Sequence, residues 1–411
     1  MKVLVFTTLF PNNVWPNHGV FVKERLAQVA RLENCEVQVV APVPYYPCMR
    51  LGWRSAYNRV VSEEIIDGVR VYHPRYFMIP KVAMVLHGLL MFLNVFFFVK
   101  QIQRRFDFDI IDAHYVYPDG FAAVLLGRCF QRPVVVSARG SDINQFSQFP
   151  LIRRLLQYTL KKADKTIGVC QALKNAMIVL GTPAEKICVV PNGVDMDKFY
   201  RFPKEEARKR LGLPLDRKII LSVGGLIPRK GFDLLIRAVN LLMRRCDGRN
   251  LYLVIVGEGP SRKDLEILTS SLGRSSDVQF TGAVPHQELY LWYSAADLFC
   301  LASSREGWPN VILEAVACGT PVVASDVWGI PEVIGSGQVG FLTKRTEYAI
   351  AEGVLVAFRK EWCVDDLQQY AGKHSWERTA QAVRDVLQSV VNVKKVCRTE
   401  IPPERESREG R

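Results

Sequence analysis

Residues 303–325 read SSREGWPNVILEAVACGTPVVAS. The run just before them, Ala295–Ala302, is apolar and predicts a buried strand. A loop follows. Pro309 suits the first position of a helix, where its missing N–H is not needed. The helix is expected over Asn310–Cys318, with Gly319 as its left-handed stop. Thr320–Ala324 predicts a second buried strand. This unit places two carboxylates. Glu306 lies in the loop at the helix mouth. Glu314 lies inside the helix, five residues past Pro309 and so roughly 7–8 Å along its axis.

A helix mouth of this kind attracts anions. Free N–H groups around Trp308, Pro309, Asn310 and Val311 point out of the helix toward phosphate oxygens. A carboxylate at the mouth accepts hydrogen bonds from sugar hydroxyls, and one deeper in can grip both hydroxyls of a ribose. The pattern suits a sugar nucleotide. The run EGWPNVILEAVACGTPVVAS resembles the E-x7-E signature of the retaining glycosyltransferases of family 4. That family has the GT-B fold, and weaker family motifs follow in the expected order from Lys2 to Trp376. The resemblance implies an α/β protein of two Rossmann-like domains facing a cleft. A C-terminal helix crosses back to the first domain.

Length agrees with two domains, since 411 residues exceed one ordinary core. The expected division is 1–197 with the returning helix 375–393, then 198–374, then a disordered tail 394–411 that is charged and nearly without apolar residues. The ten cysteines form no C-x-x-C pair. Cys35, Cys129, Cys170, Cys188, Cys300 and Cys318 lie in or beside apolar runs and read as small buried hydrophobes in a reducing cytosol. The start is too abrupt for a signal peptide. Net charge is +13, and residues 1–195 hold 23 Lys and Arg against 14 Asp and Glu. A basic face meets nucleic acid or anionic lipid. No nucleic-acid-binding motif is present, so lipid is preferred.

In chain order, Lys2–Phe10 predicts a buried strand, and Val20–Leu32 a helix behind a Gly-bearing loop. Gly19 at that helix mouth is either a plain turn or a point of close backbone approach to a ligand; the resemblance implies the latter, near the diphosphate and the acceptor. Val82–Val99 is 18 residues without formal charge. It is near the lower limit for a membrane span. The alternatives are a packed helix or one in shallow contact with a membrane, and the resemblance favours packing. Phe108–Ala113 predicts a strand with His114 at its carboxyl end, where ligands gather in such sheets. The resemblance implies that His114 touches the donor sugar. Asp107-Phe-Asp109 and Asp195-Met-Asp197 spell D-x-D, but both contexts read as solvated and no metal is inferred. Arg139-Gly140-Ser141-Asp142 follows a strand at Val134–Ser137. The family often has His-Gly-x-Asp here on the acceptor side, so Arg139 is a departure while Asp142 matches. Leu151–Lys165 predicts an amphipathic basic helix, solvated or facing anionic lipid.

A charged linker, Lys198–Pro214, without a core pattern apart from a short helix, precedes the second unit. Gly224-Gly225 ends the strand Lys218–Val223, and Arg229-Lys230-Gly231 leads into a helix. A fixed cation in this loop would neutralise a leaving diphosphate. The family usually reads Gly-Arg where this chain has Gly224-Gly225. Either Arg229 takes over the contact or the site has one cation fewer; Lys230 matches the family's Lys-Gly. By resemblance, the backbone after Gly282, at Val284, would hold the base.

The expected activity is transfer of a sugar from a UDP- or GDP-linked donor to a glycan or lipid-linked acceptor, with retention and without metal or other cofactor, in cell-surface polysaccharide synthesis. Glu306, Lys230 and His114 are the catalytic candidates. The enzyme would work in the cytoplasm, at the inner face of the membrane. A sugar-nucleotide epimerase of the same fold and a non-catalytic sugar-nucleotide-binding protein are the alternatives.

Overall fold

Strand β1 (Lys2–Phe6) is the first apolar run of the chain and sits inside its sheet, not at an edge. It is followed by β2 (Glu36–Val40), β3 (Val43–Tyr45), β4 (Glu63–Ile66), β5 (Val69–Tyr72), β6 (Arg75–Phe77), β7 (Ile110–His114), β8 (Val134–Ala138), β9 (Lys165–Gly168) and β10 (Ile187–Val189). The computed structural model describes residues 1–45, 53–78, 84–245, 250–335 and 337–399. The first sheet runs β10-β9-β8-β7-β1-β2-β5-β4, parallel except for the edge pair β4–β5. The short pair β3–β6 lies outside it.

The second sheet is built from β11 (Lys218–Val223), β12 (Leu251–Val256), β13 (Val278–Gly282), β14 (Leu298–Leu301), β15 (Val322–Ser325) and β16 (Gly340–Thr343). Its order is β13-β12-β11-β14-β15-β16, all parallel. Strands buried on both faces are largely apolar, which is why β1, β7, β8, β11 and β14 were readable as runs. Each sheet reverses its strand order once, between β1 and β7 and between β11 and β14. In doubly wound sheets the crevice opens at such a reversal, beyond the carboxyl ends of the strands.

The last helix, Trp376–Thr399, returns to the first lobe. Ala380, Val383, Leu387 and Val390 join Val3, Val5, Val22 and Leu26 in one buried cluster. Val194 N–H donates to His374 O at 2.8 Å, and Trp376 N–H to Val194 O at 3.3 Å. The two chain crossings between the lobes therefore lie side by side.

Several expectations change. The helix extends through residues 394–399 of the expected tail, and the rest of that tail lies outside the described residues. Residues 46–52, 82 and 83 also lie outside them. The short helix expected in the linker is Lys204–Leu211, and it packs on the second lobe. Its Arg208 is buried and bonds Ala295 O at 2.9 Å and Asp297 at 2.7 Å. Cys129 is exposed, whereas Cys170, Cys300 and Cys318 are buried. The apolar stretch forms the helix His87–Arg105. Met91, Val95 and Val99 bury one face in the first lobe's core. Leu89, Leu93 and Phe97 on the other face are exposed. The stretch 84–105 is long and apolar enough to cross a membrane by length and composition, but its buried face fixes it along the lobe.

Candidate active site

A cavity of about 440 Å³ lies between the lobes. Its lining comes from the loops after β1, β7 and β8 on one side and after β11 and β14 on the other. Both reversal points therefore open into the same space.

The second lobe's wall is built around Glu306. Lys230 Nζ donates to its Oε1 at 2.6 Å, Ser303 Oγ to the same oxygen at 2.7 Å, and Arg229 Nη1 lies 3.1 Å from Oε2. Arg229 also bonds the Arg305 carbonyl. Burial alone would raise the Glu306 carboxyl, but Lys230 and Arg229 outweigh it and hold it below its ordinary range. One carboxylate thus fixes two cations at the cavity. Trp308, Pro309, Asn310 and Val311 line it beside them. The helix spans Asn310–Ala317. It starts at Asn310 as expected, and Pro309 is its cap in an extended conformation rather than its first residue. Glu314 is buried and faces the cavity. Tyr293 donates to its Oε2 at 2.8 Å, and His286 Nε2 lies 3.2 Å from Oε1. Burial works against a charged His286, yet the bond to Glu314 prevails and raises its pKa.

The first lobe's wall departs from the sequence reading. His114 ends β7 but is fully buried and does not line the cavity. Arg139 stands in front of it, with Nη2 against His114 Nδ1. Arginine can only donate, so Nδ1 accepts and the ring proton sits on Nε2, which faces Asp112 Oδ2 at 3.3 Å. Burial lowers the His114 pKa to about 3, Asp112 opposing. The imidazole is neutral and shielded from any sugar. Asp142 is likewise no acceptor contact. Its carboxylate is consumed by main-chain N–H groups of Val116 (2.9 Å), Gly140 (2.8 Å) and Arg139 (3.1 Å). It shapes the Arg139 turn instead.

The glycines also act indirectly. Gly19 caps the helix Val20–Arg31 with φ 65, and a Cβ there would lie 2.4 Å from the Leu9 carbonyl. The close approach is to its own loop, and its neighbours Leu9 and Val20 line the cavity. Gly224 receives the stem of Lys230, whose Cε would lie 3.4 Å from a Cβ. A Cβ at Gly225 would meet only Glu258 O, at 3.9 Å. Arg229 reaches the cavity from the next turn. Val284 lines an adjoining recess with Ala283 and Pro285, joined to the main cavity at His286.

Both D-x-D runs serve local structure. Asp109 accepts from Lys2 N–H at 2.8 Å, and Asp107 pairs with Arg132. Asp195 accepts from Asp197 N–H at 3.0 Å and pairs with Lys198. They are engaged rather than simply solvated. Asn192, Tyr115, Phe21 and Arg305 also line the cavity; sequence reading missed them. Asn192 belongs to a Pro-Asn-Gly run that signals only a turn.

The comparisons with known proteins agree with this architecture. The family described as glycosyl transferases group 1 matches residues 203–374, and glycosyltransferase family 4 matches residues 20–198. A Bacillus subtilis glycosyltransferase provisionally assigned to teichuronic acid biosynthesis is 29% identical over 370 residues, 86% of this chain and 88% of that protein. A D-inositol 3-phosphate glycosyltransferase of Corynebacterium jeikeium is 32% identical over 311 residues, 69% of this chain and 73% of that protein. Among solved structures, Anabaena Alr3699/HepE in complex with UDP superposes with a TM-score of 0.73 at 20% identity, covering 95% of this chain and 100% of that one. The chain therefore belongs to the GT-B glycosyltransferases of family 4, with the group 1 glycosyltransferase family forming its second lobe.

Proposed function

We propose that the protein transfers a sugar, with retention and without a metal ion, from a UDP- or GDP-linked donor to a glycan or lipid-linked acceptor of a cell-surface polysaccharide. The observation that carries this reading is the cavity wall in which Glu306 fixes Lys230 and Arg229 beside the mouth of the helix Asn310–Ala317. A diphosphate placed there meets two cations and free main-chain N–H groups. Those charges are in position before the leaving group forms, so no reorganisation is needed as the glycosidic bond breaks. Glu314, about one turn into the helix, has lone pairs left for the ribose hydroxyls. Glu306 keeps lone pairs for a hydroxyl of the transferred sugar. The leaving phosphate assists the acceptor on the same face, which accounts for retention without a covalent nucleophile. The Bacillus subtilis relative is named for polysaccharide synthesis and the Anabaena neighbour binds UDP; both support the reading.

We place the acceptor at the cytoplasmic face of a membrane. The exposed Leu89, Leu93 and Phe97 lie on the first lobe, as do exposed Phe149 and Leu151 of the basic helix Pro150–Lys162. That helix also exposes Arg153 and Arg154. Apolar side chains flanked by cations suit anionic lipid.

The test is a screen of UDP-, GDP- and ADP-sugars by thermal shift, then transfer of radiolabelled sugar with the product's anomeric configuration read by NMR, with and without chelator. Retained configuration and chelator-insensitive transfer are expected. An inverted product, loss of activity in chelator, or an epimerised nucleotide sugar without acceptor product would each overturn the corresponding part.

A further inference from the structure

Arg139 is a cation with no carboxylate bonded to its guanidinium; Asp112 and Asp142 act on it only at a distance. Its Nη1 donates to Asn192 Oδ1 at 3.0 Å, its Nη2 meets the neutral His114, and its buried Nε has no partner. The guanidinium lies 5.5 Å from the centre of the Phe21 ring. None of these groups is anionic. The nearby carboxylates are already engaged: Asp112 Oδ2 accepts from Arg25 at 3.2 Å, and Asp142 from main-chain N–H groups. Arg25 is itself fully buried just behind, held also by Ser137. Two guanidinium groups thus share Asp112, and the outer one faces the cavity. A half-buried cation that makes no ion pair of its own is costly, and an anion that joins it recovers part of that cost.

Its position says which part of a ligand it meets. Asn192, which receives the Arg139 bond, donates in turn to Asn310 Oδ1 at 3.1 Å, at the first residue of the helix. Gly307, next to Glu306, packs against the Arg139 main chain: a Cβ there would lie 2.4 Å from the Arg139 carbonyl. Arg139 therefore faces the space between the helix mouth and the first lobe. On the reading above, that is where two sugars would meet. Its Nε–H is buried, but one N–H on each Nη nitrogen remains to give, enough for a two-point contact with a carboxylate.

We propose that Arg139 determines specificity for an acidic sugar, taking the carboxylate of a hexuronic acid carried by either the donor or the acceptor. This rests on the reading of the cleft as a nucleotide-sugar site. The experiment compares wild type, Arg139→Gln and Arg139→Lys. Calorimetry measures UDP, UDP-glucose and UDP-glucuronic acid in the donor arm. In the acceptor arm, p-nitrophenyl glucoside and p-nitrophenyl glucuronide are measured with UDP present. In one arm wild type should prefer the acidic compound by about 10- to 100-fold, the range of a charged hydrogen bond. Arg139→Gln should abolish that preference while binding UDP as wild type does, and Arg139→Lys should keep part of it. The arm that responds identifies which sugar is acidic. Equal affinity for acidic and neutral compounds in both arms, or an unchanged preference in Arg139→Gln, overturns the proposal. Failure of every nucleotide to bind wild type overturns the cleft reading first, and this proposal with it.

Discussion

Replacing Glu306 by Gln tests whether one carboxylate stands in for a diphosphate. The amide keeps the shape and one acceptor for Lys230 but removes the charge that both Lys230, at 2.6 Å, and Arg229, at 3.1 Å, face. The Glu306 and Lys230 side chains are 11% and 14% exposed, so solvent screens the pair only in part. Charges about 4 Å apart interact by about 4 kcal/mol at an effective dielectric near 20. Desolvation of Glu306 offsets part of this, and Arg229, a third exposed, adds little. A net loss of about 2–4 kcal/mol follows. For a domain of this size that lowers the unfolding temperature of the second lobe by roughly 5–15 °C. UDP or GDP should then restore more stability to Glu306→Gln than it adds to wild type, because its phosphates supply the missing negative charge. Differential scanning fluorimetry with and without saturating nucleotide reads both effects. A variant as stable as wild type, or one whose gain from nucleotide is no larger, would refute the role given to these cations.

Other outcomes can be checked separately. Glu314→Ala should raise the KM for the nucleotide sugar about 10- to 100-fold with a smaller change in kcat, as measured by steady-state kinetics, since the ribose contact is made in ground and transition states alike. Gly307→Ala should act as a wedge between the lobes through the Arg139 carbonyl. It should cost about 100-fold in kcat/KM while urea denaturation of the lobes changes little. Asp119 is buried and held by Thr8 N–H at 2.6 Å. Burial pushes its pKa from 3.8 to about 7, with Thr8 opposing and Asp142 adding to the rise. The folded state then keeps a proton that the unfolded state has lost, so stability falls as pH rises from 3.8 toward 7 and levels off above. Urea midpoints at pH 5.5 and 8 should show this fall, and Asp119→Asn should reduce it. Phe97→Glu with Leu93→Glu should abolish flotation with liposomes containing anionic lipid at low salt and leave nucleotide binding intact; wild type that fails to float refutes the membrane contact.

The sheets and the E-x7-E unit were legible because both rest on local signals. Central parallel strands are mostly apolar, and the helix from Asn310 is bracketed by Pro309 and Gly319. Glu314 also came through, because its place on that helix sends it toward the crevice. The first lobe's wall did not. His114 ends β7 and Arg139 follows the end of β8, and nothing in either run says that the longer side chain would cover the shorter one. Asp142 looked available because the turn that consumes its oxygens, from Gly140 and Val116, forms only in three dimensions. The buried Arg208 was hidden for a related reason. Its partners Asp297 and Ala295 lie on the far side of the lobe's sequence, so its helix read as a charged spacer. The helix His87–Arg105 shows the limit of composition: buried Val95 and exposed Phe97 are equally apolar.

The return of residues 376–391 to the first lobe has a bearing on how the protein is made. Val3, Val22 and Leu26 leave the ribosome early, yet the helix that covers them is synthesised nearly two hundred residues after β10. At about 5–20 residues per second that delay is roughly 10–40 s. Throughout it the nascent lobe carries an open greasy flank. A chaperone or the growing second lobe must keep that flank from sticking to its neighbours until translation is almost over.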